Sequence, residues 1–476
     1  MAGMKDIQRE SLIHDPIHGY IPFVSIVDDG ETSERTLLDH PWLQRLRQIH
    51  QLQTAWWVYP SAEHTRFQHV VGAMHMASRV VESLYGSLRE ICPDAPSRGF
   101  VECTMRAAAL LHDVGHGPFG HFFDAHFLSR FRLPDGGPLT HETLGAHIIR
   151  QELGGLLRGI RRCPNSELAA DEQLDPEQIA WLIQRPKADD AAEHPRWLGM
   201  LRSLFCGLYT VDNMDFVLRD AYMSGYSQRA YDLDRLLRYS FFSPQGLTIN
   251  HRGINALLRF MQTKSELFRA VYYHRTVRAI DKTLAELFRD SRELLFPGNP
   301  LEHLDDYLGF TEWSLLVDVA RWHKSDTVTT RALGERWQRL IHRQVDWEAA
   351  YERNLAVSAE QAEASSIFNS AEFVEQAIRT ALPAELKDIE LRVDLPRHIY
   401  RPDARKATAG QNFLQRSGTG EIRPLTDDQL FQKMPIAHRF VRVYLRKDAP
   451  RAHAAAVGAT LDALVGGPGD DDLTNM

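Results

Sequence analysis

Leu110-Leu111-His112-Asp113-Val114-Gly115-His116-Gly117-Pro118-Phe119-Gly120-His121-Phe122-Phe123-Asp124 puts three histidines, two aspartates and three glycines into fifteen positions. The apolar run Ala107 to Leu111 before it reads as a buried helix, and such a helix ends in His-Asp only where those groups have partners. His112 and His116 stand four apart and share a helical face, with Asp113 turned by about 100°. A metal ion would satisfy His112 and Asp113 together. Gly115, Gly117 and Pro118 then break the helix, because glycine takes left-handed conformations and the residue before proline is pushed out of the α region. This places His116 at a helix end beside carbonyls that lack helical partners. A new helix is expected near Phe119, with His121 and Asp124 three apart on one face, where the carboxylate could orient the imidazole. Histidines hydrogen-bonded in a packed core would explain any one of these residues better than they explain the set.

Upstream, Glu63 to His69 opens a helix that should reach about Tyr85. Gly72, Ala73 and Met76 follow His69 at helical spacing, so His69 points into a close helix contact where a neutral imidazole needs a partner such as a metal. His75 is assigned to the surface or to packing. Asp39-His40-Pro41-Trp42 looks like a helix start with Asp39 as N-cap, and Arg45 and Arg47 cannot share a face, leaving at least one for an anion. His14 to Pro22 is rich in turn residues, with His14 and His18 supporting the turn. Downstream, Thr140 should cap a helix running to about Leu156, with His141 in its first turn, near the positive end of the dipole where a phosphate is welcome. Asp212, Asp215, Arg219 and Tyr222 recur at intervals of three, four and three on an otherwise apolar helix, a stripe that surface ion pairs would equally explain. Two histidines and two aspartates from three of these helices could surround one divalent cation. Imidazole favours a transition metal over magnesium, and such a centre polarises a phosphoryl oxygen and acidifies water, the chemistry of phosphoester or phosphoanhydride hydrolysis.

With 476 residues, 43% hydrophobic and 25% charged, the chain reads as a globular protein with one large domain and an appendage. No uncharged apolar run would cross a bilayer and the N-terminus lacks a signal-peptide core, so no membrane partner and a cytoplasmic location are expected. Cys92, Cys103, Cys163 and Cys206 are scattered without a Cys-x-x-Cys pair and should be free thiols. The net charge of −8 argues against a whole-surface nucleic-acid binder. Helices are expected at Ala279 to Leu295, Glu312 to Trp322 and Thr329 to Tyr351, with a surface linker at Val357 to Ser366. Ile389 to Leu395 and Val441 to Arg446 alternate as strands, covered by helices at Ala371 to Leu382 and Ala452 to Val465. The expected architecture is therefore mainly α: a helical core over 1–290, a helical extension over 291–365, a small α+β module over 366–465 with a regulatory or oligomerisation role, and a disordered tail over 466–476. Arg397, Arg401, Arg405, Lys406 and Arg416 in the module could recruit an anionic effector or nucleic acid, although a solvated loop is the simpler reading. Asp189, Asp190 and Glu193 read as solvated surface.

The spread of His69, His112-Asp113 and Asp212 resembles the HD superfamily of metal-dependent phosphohydrolases. More narrowly, Asp15-Pro-Ile-His-Gly19, Gln44-Arg-Leu-Arg-Gln-Ile49, His64-x-Arg-Phe-x-His69, the His112 to Asp124 stretch, Thr140-His-Glu142 and Val211-Asp-x-x-Asp-Phe-x-x-Arg-Asp220 are similar to the deoxynucleotide triphosphohydrolases of that superfamily, over roughly Ile13 to Arg278. Some vertebrate members carry a SAM domain, which is not expected in this chain. The resemblance implies an HD-domain helical phosphohydrolase core in which His69, His112, Asp113 and Asp212 hold one divalent transition metal (manganese, iron, cobalt, nickel or zinc), with room for magnesium on the nucleotide phosphates. It implies that Arg66 grips a phosphate, that Gln51 and Leu52 crowd the sugar against a 2′-hydroxyl, and that Asp220 and Tyr272 contact substrate. His116, His121 and His141 would line the reacting phosphorus, Asp124 would orient one imidazole, and His141 would protonate the departing oxygen. The implied reaction is attack of water on the α-phosphorus of a deoxynucleoside triphosphate, releasing deoxynucleoside and triphosphate. Asp39, Gln44 and Arg47 match positions that read a guanine effector between subunits, which implies a homo-oligomer, a tetramer or a hexamer, although the lysine expected shortly before Asp15 is absent.

Departures from that pattern are informative. Asn213 replaces a phosphate-gripping lysine and Phe216 a tyrosine, so Arg219, Lys264 or Arg275 would have to supply the missing cation. Tyr272-Tyr273-His274-Arg275 matches only in part, which leaves the base preference open. An HD nuclease or phosphodiesterase acting on nucleic acid or a cyclic nucleotide is the alternative, and a nucleotide-sensing scaffold a third. The expected activity would serve nucleotide balance, replication fidelity or defence against phage.

Overall fold

The apolar period that follows Arg66 continues for 26 residues, and the helix it makes is the spine of the molecule. The structure, a computed structural model, describes residues 8–185, 194–357, 370–399, 412–434 and 437–465. The chain enters as an antiparallel hairpin of β1 (Glu10–Asp15) and β2 (Gly19–Val24), turned at Gly19 with φ 74°. Short helices α1 (Glu34–Leu38) and α2 (Pro41–Gln44) lead to α3 (Arg66–Ile91), which packs along α4 (Arg98–Leu111). Then follow α5 (His121–His126), α6 (His141–Gln151), α7 (Gly154–Arg158), the small hairpin of β3 (Arg162–Cys163) and β4 (Ser166–Glu167), α8 (Pro176–Ile183) and α9 (Arg196–Arg202). Helix α10 (Val211–Met223) closes back on α3, so that residues 69, 112 and 212 meet where three helices converge.

Beyond it come α11 (Leu233–Arg238), the hairpin of β5 (Ser240–Ser243) and β6 (Gly246–Asn250), α12 (Ile254–Leu267), a π-helical turn at Phe268–Tyr272 and α13 (Arg275–Leu295). Helices α14 (Leu304–Gly309), α15 (Glu312–Arg321) and α16 (Val328–Ile341) precede β7 (Trp347–Val357). The C-terminal elements are α17 (Ala371–Ala381), β8 (Leu391–Asp394), β9 (Arg397–Ile399), β10 (Asn412–Gln415), β11 (Ile422–Pro424), α18 (Gln429–Gln432), β12 (Ala437–Arg446) and α19 (Arg451–Val465). β12 pairs antiparallel with β7, β8 and β9, and Val374, Ile378, Val457 and Leu461 of the two flanking helices bury the face of Val393, Val441 and Val443. β10 instead adds in parallel to β6, tying the C-terminal segment to the helical core. The fold is mainly α, and among the described residues no helix is long and apolar enough to cross a membrane.

Several local expectations give way. α4 ends at Leu111, and residues 112–115 form turns, so His112 and His116 share no helical face. Asp39 is the C-cap of α1 rather than an N-cap, its N–H being taken by Arg35 O; His40 caps α2 by accepting from Trp42 N. The helix foreseen to Tyr351 stops at Ile341, Arg343 turns the chain at φ 57°, and Trp347 to Val357 becomes a strand because β12 supplies a full ladder for it. The sheet thus begins before position 366. α3 runs on to Ile91 and α6 stops at Gln151. Asp189, Asp190, Glu193, Arg401, Arg405, Lys406, residues 358–366 of the linker and the tail 466–476 lie outside the described residues.

Arg45 is not available to an anion either. It is buried and donates to the carbonyls of His116 (2.7 Å), Phe310 (2.8 Å) and Tyr307 (3.2 Å), pinning the turn after His112 to the α14–α15 segment. Arg45→Met would leave the carbonyls of His116 and Phe310 without that donor, Tyr307 O keeping Phe310 N–H, at a cost of about 3 kcal/mol. Denaturant melts check this; a variant as stable as the parent would show that the arginine anchors nothing.

Candidate active site

His69 comes from the second turn of α3, His112 from the C-cap of α4 and Asp212 from the first turn of α10. Their atoms converge: the two Nε2 atoms are 3.3 Å apart, and Asp212 Oδ1 lies 3.1 Å from His69 Nε2 and 3.7 Å from His112 Nε2. Each ring is fixed from behind, since His69 Nδ1–H donates to Asp215 Oδ2 (2.8 Å) and His112 Nδ1–H to Ala109 O (2.7 Å). With their protons on Nδ1, both histidines aim bare Nε2 lone pairs at the same point, which is repulsive unless a cation stands between them. Two of the three spacings suit one, since metal–nitrogen bonds near 2.1 Å put neighbouring ligands roughly 3.0–3.4 Å apart, and the His112–Asp212 edge is wider at 3.7 Å. Burial opposes a charge on His69, yet its hydrogen bonds to Asp212 and Asp215 prevail and push the imidazole up to about 10. The surroundings are thus negative enough to favour positive charge there. Asp113 stands at the fringe, with Oδ1 3.4 Å from His112 Nε2 and Oδ2 accepting from Arg66 Nη1 at 2.6 Å.

Behind the histidines is a buried ionic network that the motif reading did not assign to the site. Asp215, fully buried, accepts from His18 (2.7 Å), from His69 and from Arg219 (2.9 Å to each oxygen), and Arg219 reaches Asp15 at 2.7 Å. The polar stripe of α10 therefore faces inward, with only Tyr222 largely exposed. Gly72 makes room for it, because a Cβ there would sit inside the Asp215 carboxylate and Arg219 guanidinium. The spacing of Asp212 and Asp215 was visible; that α3 covers them was not.

A second group gathers His116, His121, Asp124 and His141. Asp124 Oδ2 accepts from His141 Nδ1 and lies 3.4 Å from His121 Nδ1, so the carboxylate serves His141, on another helix, more closely than its expected neighbour on α5. Burial works against its charge, but the hydrogen bonds from His121 and His141 hold the carboxyl far below the usual range. His116 is fully buried, stacked on His141 at 3.7 Å, and does not reach the cavity; burial and then Arg66 keep it neutral. The turn beneath is tight: Phe119 and Gly120 have φ 61° and 56°, and a Cβ on Gly120 would meet the Arg66 guanidinium.

One cavity of about 400 Å³ joins these groups, lined by Arg66, His112, Asp113, Asp212, His121 and His141 together with Gln51, Leu52, Gln53, Asp220 and Tyr272. Asp220 is held by His64 Nε2 (2.7 Å) and by the Tyr272 hydroxyl. Of the cations considered as replacements at Asn213, Arg219 is committed to Asp15 and Asp215, and Arg275 lines a different cavity. Lys264 remains, 5.7 Å from the Phe216 ring centre and close enough to feel Asp212; burial nevertheless pulls its ammonium down to about 8. Asp39, Gln44 and Arg47 do not line this cavity, with Arg47 Nε donating to Gln44 Oε1 (2.8 Å) and Asp39 paired with Arg35.

Residues 66–185 match the HD domain family. The chain is 25% identical over 435 residues to the uncharacterized protein YwfO of Bacillus subtilis, covering 87% of this chain and 86% of that one. It is 25% identical over 477 residues to the deoxynucleoside triphosphate triphosphohydrolase SAMHD1 of Bos taurus (94% of this chain, 76% of that one) and 23% identical over 470 residues to the Homo sapiens protein of the same name (93% and 71%). Among solved structures, a hypothetical protein from Aquifex aeolicus superposes with a TM-score of 0.67 at 21% identity, covering 94% of this chain and all of that one, which shows a shared fold. The chain thus matches the HD domain family over residues 66–185 and is similar to the SAMHD1 deoxynucleoside triphosphate triphosphohydrolases over most of its length.

Proposed function

We propose that this chain is a metal-dependent deoxynucleoside triphosphate triphosphohydrolase, converting a dNTP and water to deoxynucleoside and triphosphate. The observation that carries the reading is the meeting, at one cavity, of a cation site made by His69, His112 and Asp212, the phosphate-sized donor set of Arg66, and a carboxylate-backed imidazole at His141. His69, His112, Asp113 and Asp212 would hold a divalent transition metal, which would supply Lewis acidity toward a phosphoryl oxygen and acidify water. Arg66 spends one nitrogen on Asp113 and keeps the rest of its fork for a phosphate. As water adds to the α-phosphorus the bond to the sugar oxygen breaks, and His141, its Nδ1 held by Asp124, delivers the proton that oxygen needs. Gln51, Leu52 and Asp220 line the cavity; we assign the first two to crowding a 2′-hydroxyl, and Asp220, already bonded to His64 and Tyr272, to the sugar.

Lys264, which stands behind the cavity wall at Phe216, is the cation we assign to the phosphates in place of the missing lysine at 213. Because its ammonium is poised near 8, it is charged below that pH and neutral above it, so kcat/KM should fall as pH rises past about 8. Lys264→Arg should carry the plateau to higher pH; an unchanged alkaline limb would take Lys264 out of the role.

A nucleotide effector in a homo-oligomer completes the proposal. Asp39 and Arg47 are exposed beside Gln44, and a second cavity of about 320 Å³ gathers Arg275, Arg343 and Lys447, cations suited to a polyphosphate. The deciding experiment incubates the protein with manganese and each dNTP, singly and mixed, and separates nucleoside, triphosphate and diphosphate. Nucleoside with intact triphosphate supports the reading, and activity confined to mixtures supports the effector. No nucleotide turnover, together with cleavage of single-stranded DNA or RNA, would replace it with a nuclease.

A further inference from the structure

Gln53 follows the two residues assigned to sugar selection and has a φ of 51°, a left-handed backbone that a non-glycine residue keeps only where its surroundings enforce it. The enforcement is a chain of buried charges. Gln53 Nε2 donates to Asp281 Oδ1 at 2.9 Å and Thr54 Oγ1 to the same oxygen at 2.6 Å. The other oxygen of Asp281 accepts from Arg278 Nη1 at 3.0 Å. Arg278 then turns its Nε and Nη2 in parallel onto Asp394, at 2.9 and 2.7 Å. Lys282 completes the group, 3.2 Å from Asp394 Oδ1 and donating to Val393 O. Asp281 and Asp394 are 5% and 2% exposed, yet Gln53, Arg278 and Asp281 all line the catalytic cavity. Asp394 ends β8, whose register on β12 sets it opposite Arg442, so its place is fixed by the C-terminal sheet.

We infer that Asp394 is a positioning residue for the catalytic cavity: through Arg278 and Asp281 it holds the Gln51–Gln53 turn in the strained shape that discriminates deoxyribose from ribose. The inference rests on the nucleotide hydrolase reading above. Two buried carboxylates face Arg278 and Lys282, whose side chains are 26% and 24% exposed, and a bidentate guanidinium pair fixes direction as well as energy. If Asp394 loses its charge, Arg278 keeps only Asp281 and is free to swing onto it or toward the polyanion in the cavity. Asp281 then no longer presents Oδ1 squarely to Gln53 and Thr54, and the turn relaxes toward ordinary backbone angles, opening space beside the sugar.

The test uses the full chain with Asp394→Asn, Asp281→Asn and the double variant, each checked for fold by its melting curve. Asp394→Asn should raise KM for a dNTP about tenfold with kcat within about threefold, and should lower the preference for dNTP over rNTP by a similar factor. The double variant should be no worse than Asp281→Asn alone, since both act along one path. A lower melting temperature with unchanged KM and unchanged deoxy/ribo preference would make the contact structural glue and overturn the inference, as would effects that simply multiply. Calorimetric binding of a slowly cleaved α-thio dNTP and its ribonucleotide counterpart separates the two claims. A wild type that binds the deoxy form selectively but does not cleave any nucleotide would sink the hydrolase reading while still testing the turn; one that binds neither overturns both.

Discussion

His112→Ala is expected to lower turnover by on the order of 10³-fold or more and to strip the protein of metal, without unfolding it. The scale follows from what the cation is asked to do: several kcal/mol of charge stabilisation at a phosphoryl oxygen, each 1.36 kcal/mol being about a tenfold change in rate. The geometry singles out His112. Among the described residues its Nε2 faces His69 Nε2 at 3.3 Å and the carboxylates of Asp212 and Asp113. Its Nδ1–H is tied to its own helix at Ala109 O, so alanine removes a ligand and leaves no ion pair broken elsewhere. His69 would be a poorer probe, because its removal also releases Asp215 and with it Arg219 and His18. Elemental analysis of the purified variant, beside product analysis with added manganese, reads both arms. A variant that keeps one metal per chain would place the cation elsewhere, and the four-residue group around Asp124 would be the next place to look.

How much of this was legible depends on the range of the interaction. The stretch from His112 to Asp124 announced itself because its residues act within one turn or two, and the glycines that bend it are local signals as well. His69 and Asp212 were legible as motif positions, and the structure brings both to His112. Asp215 was visible as a polar residue on an apolar helix, but i, i+3 and i, i+4 spacing fits a solvated ion-paired face as well as a buried one. Only the packing of α3 through Gly72 decides between them. The same limit applied to β7: Trp347-Glu-Ala-Ala-Tyr-Glu-Arg contains good helix formers, and the strand exists because β12, far along the chain, offers a ladder. Arg278 and Asp394 are 116 positions apart, so the contact that ties the C-terminal sheet to the cavity left no trace in local pattern.

Asp124→Asn tests the other half of the site, and a fall in kcat of about 10² to 10⁴-fold is expected with metal content unchanged. The carboxylate does two things for His141: it accepts the Nδ1 proton, which leaves Nε2 to face the cavity, and its charge compensates the ring when both nitrogens carry protons. Asparagine keeps the shape and loses the charge, and its NH2 can turn toward Nδ1 and invert the tautomer. Because His116 stacks on His141 and His121 also leans on Asp124, the three rings should be disturbed together, so adding His141→Ala should cost little more than either change alone. The sign with pH is fixed by the depressed carboxyl: the folded group titrates below its unfolded value, so its contribution to stability is present above about pH 4 and is lost as pH falls through the folded value. Asp124→Asn should therefore flatten the acid limb of the stability curve as well as slow turnover. A variant within fivefold of the parent would mean that the proton reaches the leaving oxygen by another route, and His141 would then be a wall of the cavity and not its acid.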